Sequence, residues 1–438
     1  MSAAGCSKFE MQILFEHALF LPHADAQPQP DMCVGVSDGV IAFVGARPPE
    51  TFSPDRRIDC CGALLMPGFV NAHTHSPLSL LRSGGEGLPL QRWLEQVVWP
   101  YEAQHTAESC YWGALLNAAE CIRAGITCVC DMYIYPQSVA KAMSEAGLRA
   151  LVTPTVTDAL LEKSPDLLTQ IVRLREQWAG HPLIHTGIAP HAVYTCEDKL
   201  LSAVSELAEA YDLPIHVHVS ETACEQQECS DRYGTTPLVH LDRLGLITSR
   251  TLMAHCVWLS PADIDLAARR GATVVHCPRS NLKLGSGIAP VEDFIQAGIP
   301  VALGTDSSAS NNSQDILEEM RFASLLQKGT RGDPTVLSPA RSLAMATSAA
   351  GKAAGFSLGR LAPGEPADLI LVSRREPHWK PGLDPRADLL YAASASDVVL
   401  TMVNGVILYE NGVFQTVDLE RIYRMLPHFY PRVMSHPT

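Results

Sequence analysis

From residue 63 to residue 357 short apolar runs alternate with stretches of helical periodicity, and no other feature of the chain narrows its fold as much. The runs lie at 64–71, 127–133, 150–156, 183–190, 214–220, 251–257, 272–276 and 300–305, and read as buried strands. Helical patterns at 109–123, 167–178, 199–211, 261–269 and 313–326 separate most of them. Eight strand-helix units of this kind close into a (β/α)8 barrel, an α/β fold whose chemistry sits at the carboxyl ends of the strands. The loops at 279–290 and 307–313, rich in Gly and Ser or almost wholly polar, follow barrel strands and are placed to border a pocket.

Both ends of the chain have a different texture. Residues 1–62 are strand-like, with Ser37-Asp38-Gly39 as a hairpin signal, and residues 358–438 repeat that character around Asn404-Gly405 and Asn411-Gly412. The simplest reading is one small β-sandwich domain formed from both termini, with the barrel (63–357) inserted between its halves. The Pro-rich piece at 374–385 reads as a linker or surface loop.

A chain of 438 residues, 47% hydrophobic, can fill such a core. Its formal charge, 33 − 47 = −14, and the lack of a basic run argue against nucleic acid as a partner and for a small neutral or cationic substrate. Thirteen cysteines scattered through apolar segments form no zinc-finger spacing or disulfide framework, which points to a reducing compartment. No basic leader and no run near the roughly 20 apolar residues of a membrane span is visible, so the expected location is the cytoplasm, away from a membrane.

The polar clusters at the strand ends carry the chemistry. His73 and His75 stand one residue apart and point the same way on an extended backbone. His218, His255 and Asp306 end later strands. Three nitrogens and a carboxylate suit zinc or another borderline divalent ion with a position left for water, whose pKa falls to about 7 when bound. Hydrolysis follows. Asp306 also has an ordinary reading, as a turn residue capping the next helix. Glu221, three residues past His218, can stand beside such an ion and pass a proton, and His255 can assist the same water. His216 lies one layer deeper and reads as a core histidine, whereas His276 divides evenly between pocket wall and structure. The fourth strand, 183–190, offers no lysine to bridge a second ion, so one metal is expected.

With these residues in place the chain resembles the amidohydrolase superfamily, in its branch of mononuclear aminohydrolases acting on purines and related heterocycles, and within it the 5′-methylthioadenosine/S-adenosylhomocysteine deaminases. The resemblance rests on Pro67 through His75, Gly87 through Glu95 with Trp99-Pro100-Tyr101-Glu102, Ile188 through His191, His216 through Glu221, Asn281 through Gly287, Leu303 through Ser307, and Gly359 through Ile370. It implies one ion, zinc ahead of iron or manganese, held by His73, His75, His218 and Asp306, with Glu221 and His255 as proton-transfer residues. Hydroxide would attack C6 of an adenine ring, Glu221 would protonate N1 and then the amine, and ammonia would leave. Glu102 would accept hydrogen bonds from the ribose hydroxyls, His191 would contact sugar or base, and Trp93 would line the 5′ side. A homo-oligomer is also implied.

One departure stands out. Relatives that accept an amino-acid tail usually carry an arginine after the third strand, whereas residues 153–165 hold only Lys163 as a cation. A lysine is a point charge and not a bidentate partner for a carboxylate. The expectation is a preference for methylthioadenosine, adenosine or 5′-deoxyadenosine over S-adenosylhomocysteine. Deamination or dechlorination of another heterocycle (guanine, a pterin, a triazine) uses the same ligands and is the rival reading; a non-catalytic interaction scaffold is the more distant one.

Overall fold

The computed structural model describes residues 11–430. Eight parallel strand positions make the barrel: Phe69–Thr74, Ile126–Tyr133, Arg149–Val156, the broken pair Ile184–Thr186 and Ala189–Pro190, Ile215–Val219, Thr251–His255, Thr273–His276 and Val301–Leu303. They form two half-sheets, strands one to four and five to eight. On one side the halves meet around an isolated bridge, Ile188 to Ile215, with backbone hydrogen bonds from Ile188 to Pro214, from His216 to Ile188 and from His218 to His191. On the other side a side chain does the stitching: buried Asn71 accepts from the Thr305 amide at 3.0 Å and donates to Thr305 Oγ1 at 2.7 Å. The Asp306 amide then donates to the His73 carbonyl at 2.9 Å. A Cβ on Gly304 would lie 2.8 Å from that of His73, so only glycine lets the last strand close against the first.

The helices start where the sequence supplies caps. Thr106 and Ser109 form a capping box for Ala107–Arg123, and Ser260 with Asp263 does the same for Pro261–Arg270. A helix at Pro136–Ala146 goes beyond the patterns singled out in the sequence. The segment 279–290, expected as a loop, begins inside a short helix, Pro278–Lys283, because Pro278 takes the first helical position.

The two termini build one nine-stranded sheet around its own core, which draws on Phe15, Phe20, Leu65, Leu369 and Met402. Its hairpins turn at Asp38-Gly39, Asn404-Gly405 and Asn411-Gly412, all six residues with positive φ, as a two-residue turn of that hand requires. The tip at Gly39 meets Asn404 and Gly405 of the C-terminal half, so the sheet curls and its arms face each other. The run at 64–71 is not one strand. Leu64–Pro67 pairs antiparallel with Leu369–Val372 in the terminal sheet, and the barrel strand begins only after Gly68. The sheet therefore extends past residue 62 to Pro67. Buried Arg149 locks the two parts, giving Asp368 hydrogen bonds of 2.8 and 2.9 Å. Among the described residues no helix is long and apolar enough to cross a membrane.

Candidate active site

His73 and His75 end the first barrel strand, His218 the fifth and His255 the sixth, and Asp306 follows the eighth. The ligand atoms of His73, His75 and His218 all lie within 4.8 Å of one another. Asp306 Oδ1 is 3.6 Å from His73 Nε2 and 3.3 Å from His75 Nε2. Ser220, His255 and Asp306 hold positive φ values of 52, 72 and 60°, a strained conformation for side-chain-bearing residues that clusters at the site.

Hydrogen bonds fix which nitrogen of each ring faces inward. His75 Nδ1 donates to the Met132 carbonyl at 2.5 Å and His218 Nδ1 to the His191 carbonyl at 2.8 Å, leaving both Nε2 atoms as lone pairs. His73 is set by a longer relay. Thr153 Oγ1 donates to the Asp131 carbonyl, so it accepts from His216 Nδ1 at 3.2 Å, and His216 Nε2 in turn accepts from His73 Nδ1 at 2.9 Å. The buried His73 Nε2 is left without a partner. His216, expected as a packing residue, is buried as expected but also orients a candidate ligand. His276 is buried, both its nitrogens are unpartnered, and it is not part of the cavity wall.

Burial dominates the titration of this floor. It pushes His73 down to about 4 and His191 to about 3, and holds His218 and His216 well below the usual imidazole range. For Asp306 burial acts upward, but the neighbouring imidazoles of His73, His75 and His255 outweigh it, so the carboxylate stays well below its ordinary value. Burial raises Glu221, with Asp306 adding and His255 opposing. For His255 burial acts downward but Glu221 and Asp306 prevail, and its affinity for a proton rises. His255 Nε2 lies 3.6 Å from Glu221 Oε2.

Several further groups hold this arrangement. Ser286 Oγ donates to Glu221 Oε1 at 3.1 Å, and the amides of Ser220 and Glu221 donate to the two oxygens of Glu225 at 2.9 and 2.7 Å. Ser280 and Ser310 donate to Asp306 Oδ2 at 2.6 and 2.8 Å. Asp306 Oδ1 also accepts from the Ser307 amide, but Asp315 caps the following helix, so the capping role expected as an alternative belongs elsewhere.

A cavity of about 590 Å³ opens from this floor. Above the histidines its wall carries Tyr133, His191 and half-buried Glu102, whose carboxyl is pushed up to about 7 by burial against the opposing influence of His75 and Tyr133. Leu90, Leu94, Val98 and Leu160 make an apolar middle beside Trp93, whose Nε1 donates to the Gly84 carbonyl at 2.9 Å. Asp158, Lys163, Glu197 and Arg232 form a charged rim. The segment after the third strand offers no arginine, but one reaches the rim from the helix Ala223–Tyr233, where Arg232 donates to Glu197 at 2.8 Å.

Residues 64–408, from the last strand of the first terminal segment through the barrel and into the C-terminal strands of the terminal sheet, match the model of the amidohydrolase family. The chain belongs to the amidohydrolase family. It is 41% identical over 396 residues to a 5-methylthioadenosine/S-adenosylhomocysteine deaminase of Moorella thermoacetica, an alignment covering 89% of this chain and 92% of that protein. It is 42% identical over 389 residues to a 5′-deoxyadenosine deaminase of Methanothermobacter thermautotrophicus, with 87% and 90% covered. Among solved structures it resembles an adenosine deaminase from Xanthomonas campestris with bound zinc: TM-score 0.91, 37% identity, 96% of this chain and 98% of the other. This amidohydrolase is a hydrolase acting on C–N bonds.

Proposed function

We propose that this amidohydrolase replaces the 6-amino group of an adenine nucleoside with oxygen from water, releasing ammonia and the inosine analogue. The observation that carries the reading is one cavity with three inward lone pairs and Glu221 at its floor, Glu102 halfway up and an apolar stretch beyond. The orphaned Nε2 of His73 and the tied Nδ1 atoms of His75 and His218 fit a cation rather than a network of neutral hydrogen bonds. A divalent ion held by His73, His75, His218 and Asp306, zinc ahead of iron or manganese, would supply Lewis acidity that lowers the pKa of a water to about 7.

The protein's own groups do the rest. Glu221, raised by burial, takes a proton from the attacking water, delivers it to N1 of the ring and then serves the departing amine. His255, whose affinity for a proton Glu221 and Asp306 raise against burial, donates toward the charge developing at the reacting oxygen. Glu102 accepts from the ribose hydroxyls, His191 contacts the sugar or base, and Trp93 covers the 5′ side. An uncharged 5′ group, methylthio, hydroxyl or hydrogen, fits the apolar stretch as it stands. A tail carboxylate at the rim has to draw Arg232 from Glu197, so S-adenosylhomocysteine is the poorer substrate. The partner is a small molecule, and we infer a cytoplasmic homo-oligomer.

Ammonia release from a panel of adenine nucleosides and free bases, assayed on metal-reconstituted protein, tests this. Adenine nucleosides are expected to lead. Turnover confined to guanine, pterins or triazines would transfer the site to the rival chemistry, and Glu102→Ala would then leave the rate untouched.

A further inference from the structure

Leu90 to Glu102 form one helix in three pieces: α over Leu90–Trp93, π over Leu94–Val98 and α again over Trp99–Glu102. The Trp99 amide donates to the Leu94 carbonyl five residues back, and the Ala103 amide returns to the α pattern by donating to the Trp99 carbonyl at 3.0 Å. The turn between them holds one surplus residue. Pro100 supplies the cause, since proline has no N–H and its ring in a regular α-helix meets the carbonyl four residues earlier, here that of Gln96. A wider turn avoids that clash. Such turns are rare and concentrate at functional sites.

The surplus residue changes which side chains see the cavity. On an unbroken α-helix the face that starts with Leu90, Trp93 and Leu94 continues at Val97 and Tyr101. That face also takes in Val98, which lines the cavity, but the wall then runs on to Trp99 and Glu102 in place of Val97 and Tyr101. Val97 and Tyr101 are turned into the protein, Tyr101 Oη donating to the Phe429 carbonyl at 3.0 Å. Collapse of the π turn into α would rotate Glu102 by about 100° and carry its carboxylate off the wall.

We propose that Pro100, through the π turn it imposes, is a positioning residue for Glu102, so that recognition of the sugar hydroxyls depends on the register of this helix. The inference rests on the reading of Glu102 as the ribose contact.

The test compares wild type, Pro100→Ala, and Pro100→Ala with Gln96 deleted, all metal-reconstituted, on adenosine and 2′,3′-dideoxyadenosine. Pro100→Ala should lower kcat/KM for adenosine by about 10- to 100-fold, the loss of hydrogen bonds to a charged group, and leave the dideoxy substrate within about threefold. Gln96 is exposed, and deleting it removes the surplus residue. An all-α helix then presents Glu102 again, and adenosine turnover should return to within about fivefold of wild type, the residual cost of a small displacement. General destabilisation would reduce both substrates and would not be repaired by a further deletion. Full adenosine activity in Pro100→Ala, equal losses on both substrates, or no rescue would each overturn the proposal. Wild type inactive on both nucleosides would instead remove the functional reading, and the inference with it.

Discussion

The floor and the rim of the cavity use the same kinds of ionisable side chain in opposite ways. At the floor every inward nitrogen is aimed by a named partner on its other side, and burial holds His73 and His218 below the usual imidazole range. At the rim Arg232 and Glu197 are about half and two-thirds exposed, and pair with each other in reach of water. Ion pairs of that kind contribute little to stability and yield readily to a competing ligand. The floor is built to hold one chemistry, the rim to choose among substrates.

The sharpest way to break this contrast is to empty the floor. Chelation at neutral pH should abolish ammonia release and lower Tm, and zinc should restore both; a ligand at a hundred times its Kd stabilises by about 2.7 kcal/mol. Unchanged activity in metal-free protein would end the hydrolytic reading. Glu221→Gln keeps the shape of the floor and removes its proton carrier, so kcat should fall by about 10³-fold with metal content intact. More than a tenth of wild-type activity would pass that role to His255.

Glu102 tests the middle of the cavity. Its carboxyl rises from an ordinary 4.5 to about 7, so the native state gives up stability as pH climbs through that window, where the unfolded chain is ionised and the folded one is not. Glu102→Gln should therefore raise Tm near pH 8 and leave it nearly unchanged near pH 4. In wild type, KM for ribonucleosides should rise as pH falls through about 7, and KM for dideoxy analogues should stay flat. The smallest effect belongs to the rim. Arg232→Ala should cut kcat/KM for S-adenosylhomocysteine by about fivefold, within the range of an exposed ion pair, and spare methylthioadenosine. Equal losses on both would erase the distinction between floor and rim.

The barrel was legible because each strand is an apolar run that ends in a polar cluster, and His73, His75, His218, His255 and Asp306 sit in those clusters. Periodicity fails at 64–71, since both the terminal sheet and the barrel bury their strands and the run stays apolar across Gly68. Arg232 escaped notice because an arginine on a polar helix looks like any solvated one until the fold brings it to the rim. His216 sits at a depth where packing is the ordinary role; only the chain from Asp131 through Thr153 shows what its nitrogens do. The π turn is foreshadowed by Pro100 alone, and its effect on facing emerges only with the cavity in view.

The join between the half-sheets has a mechanical consequence. His73 and His75 belong to one half of the barrel, His218 and Asp306 to the other, and the backbone ladder between the halves is sparse on both sides. An ion gripped by all four would act as a rivet across the seam as well as a reagent. Unloaded protein should breathe along that line, and amide exchange there, faster than in either half-sheet's interior, would register how tightly the fastening holds.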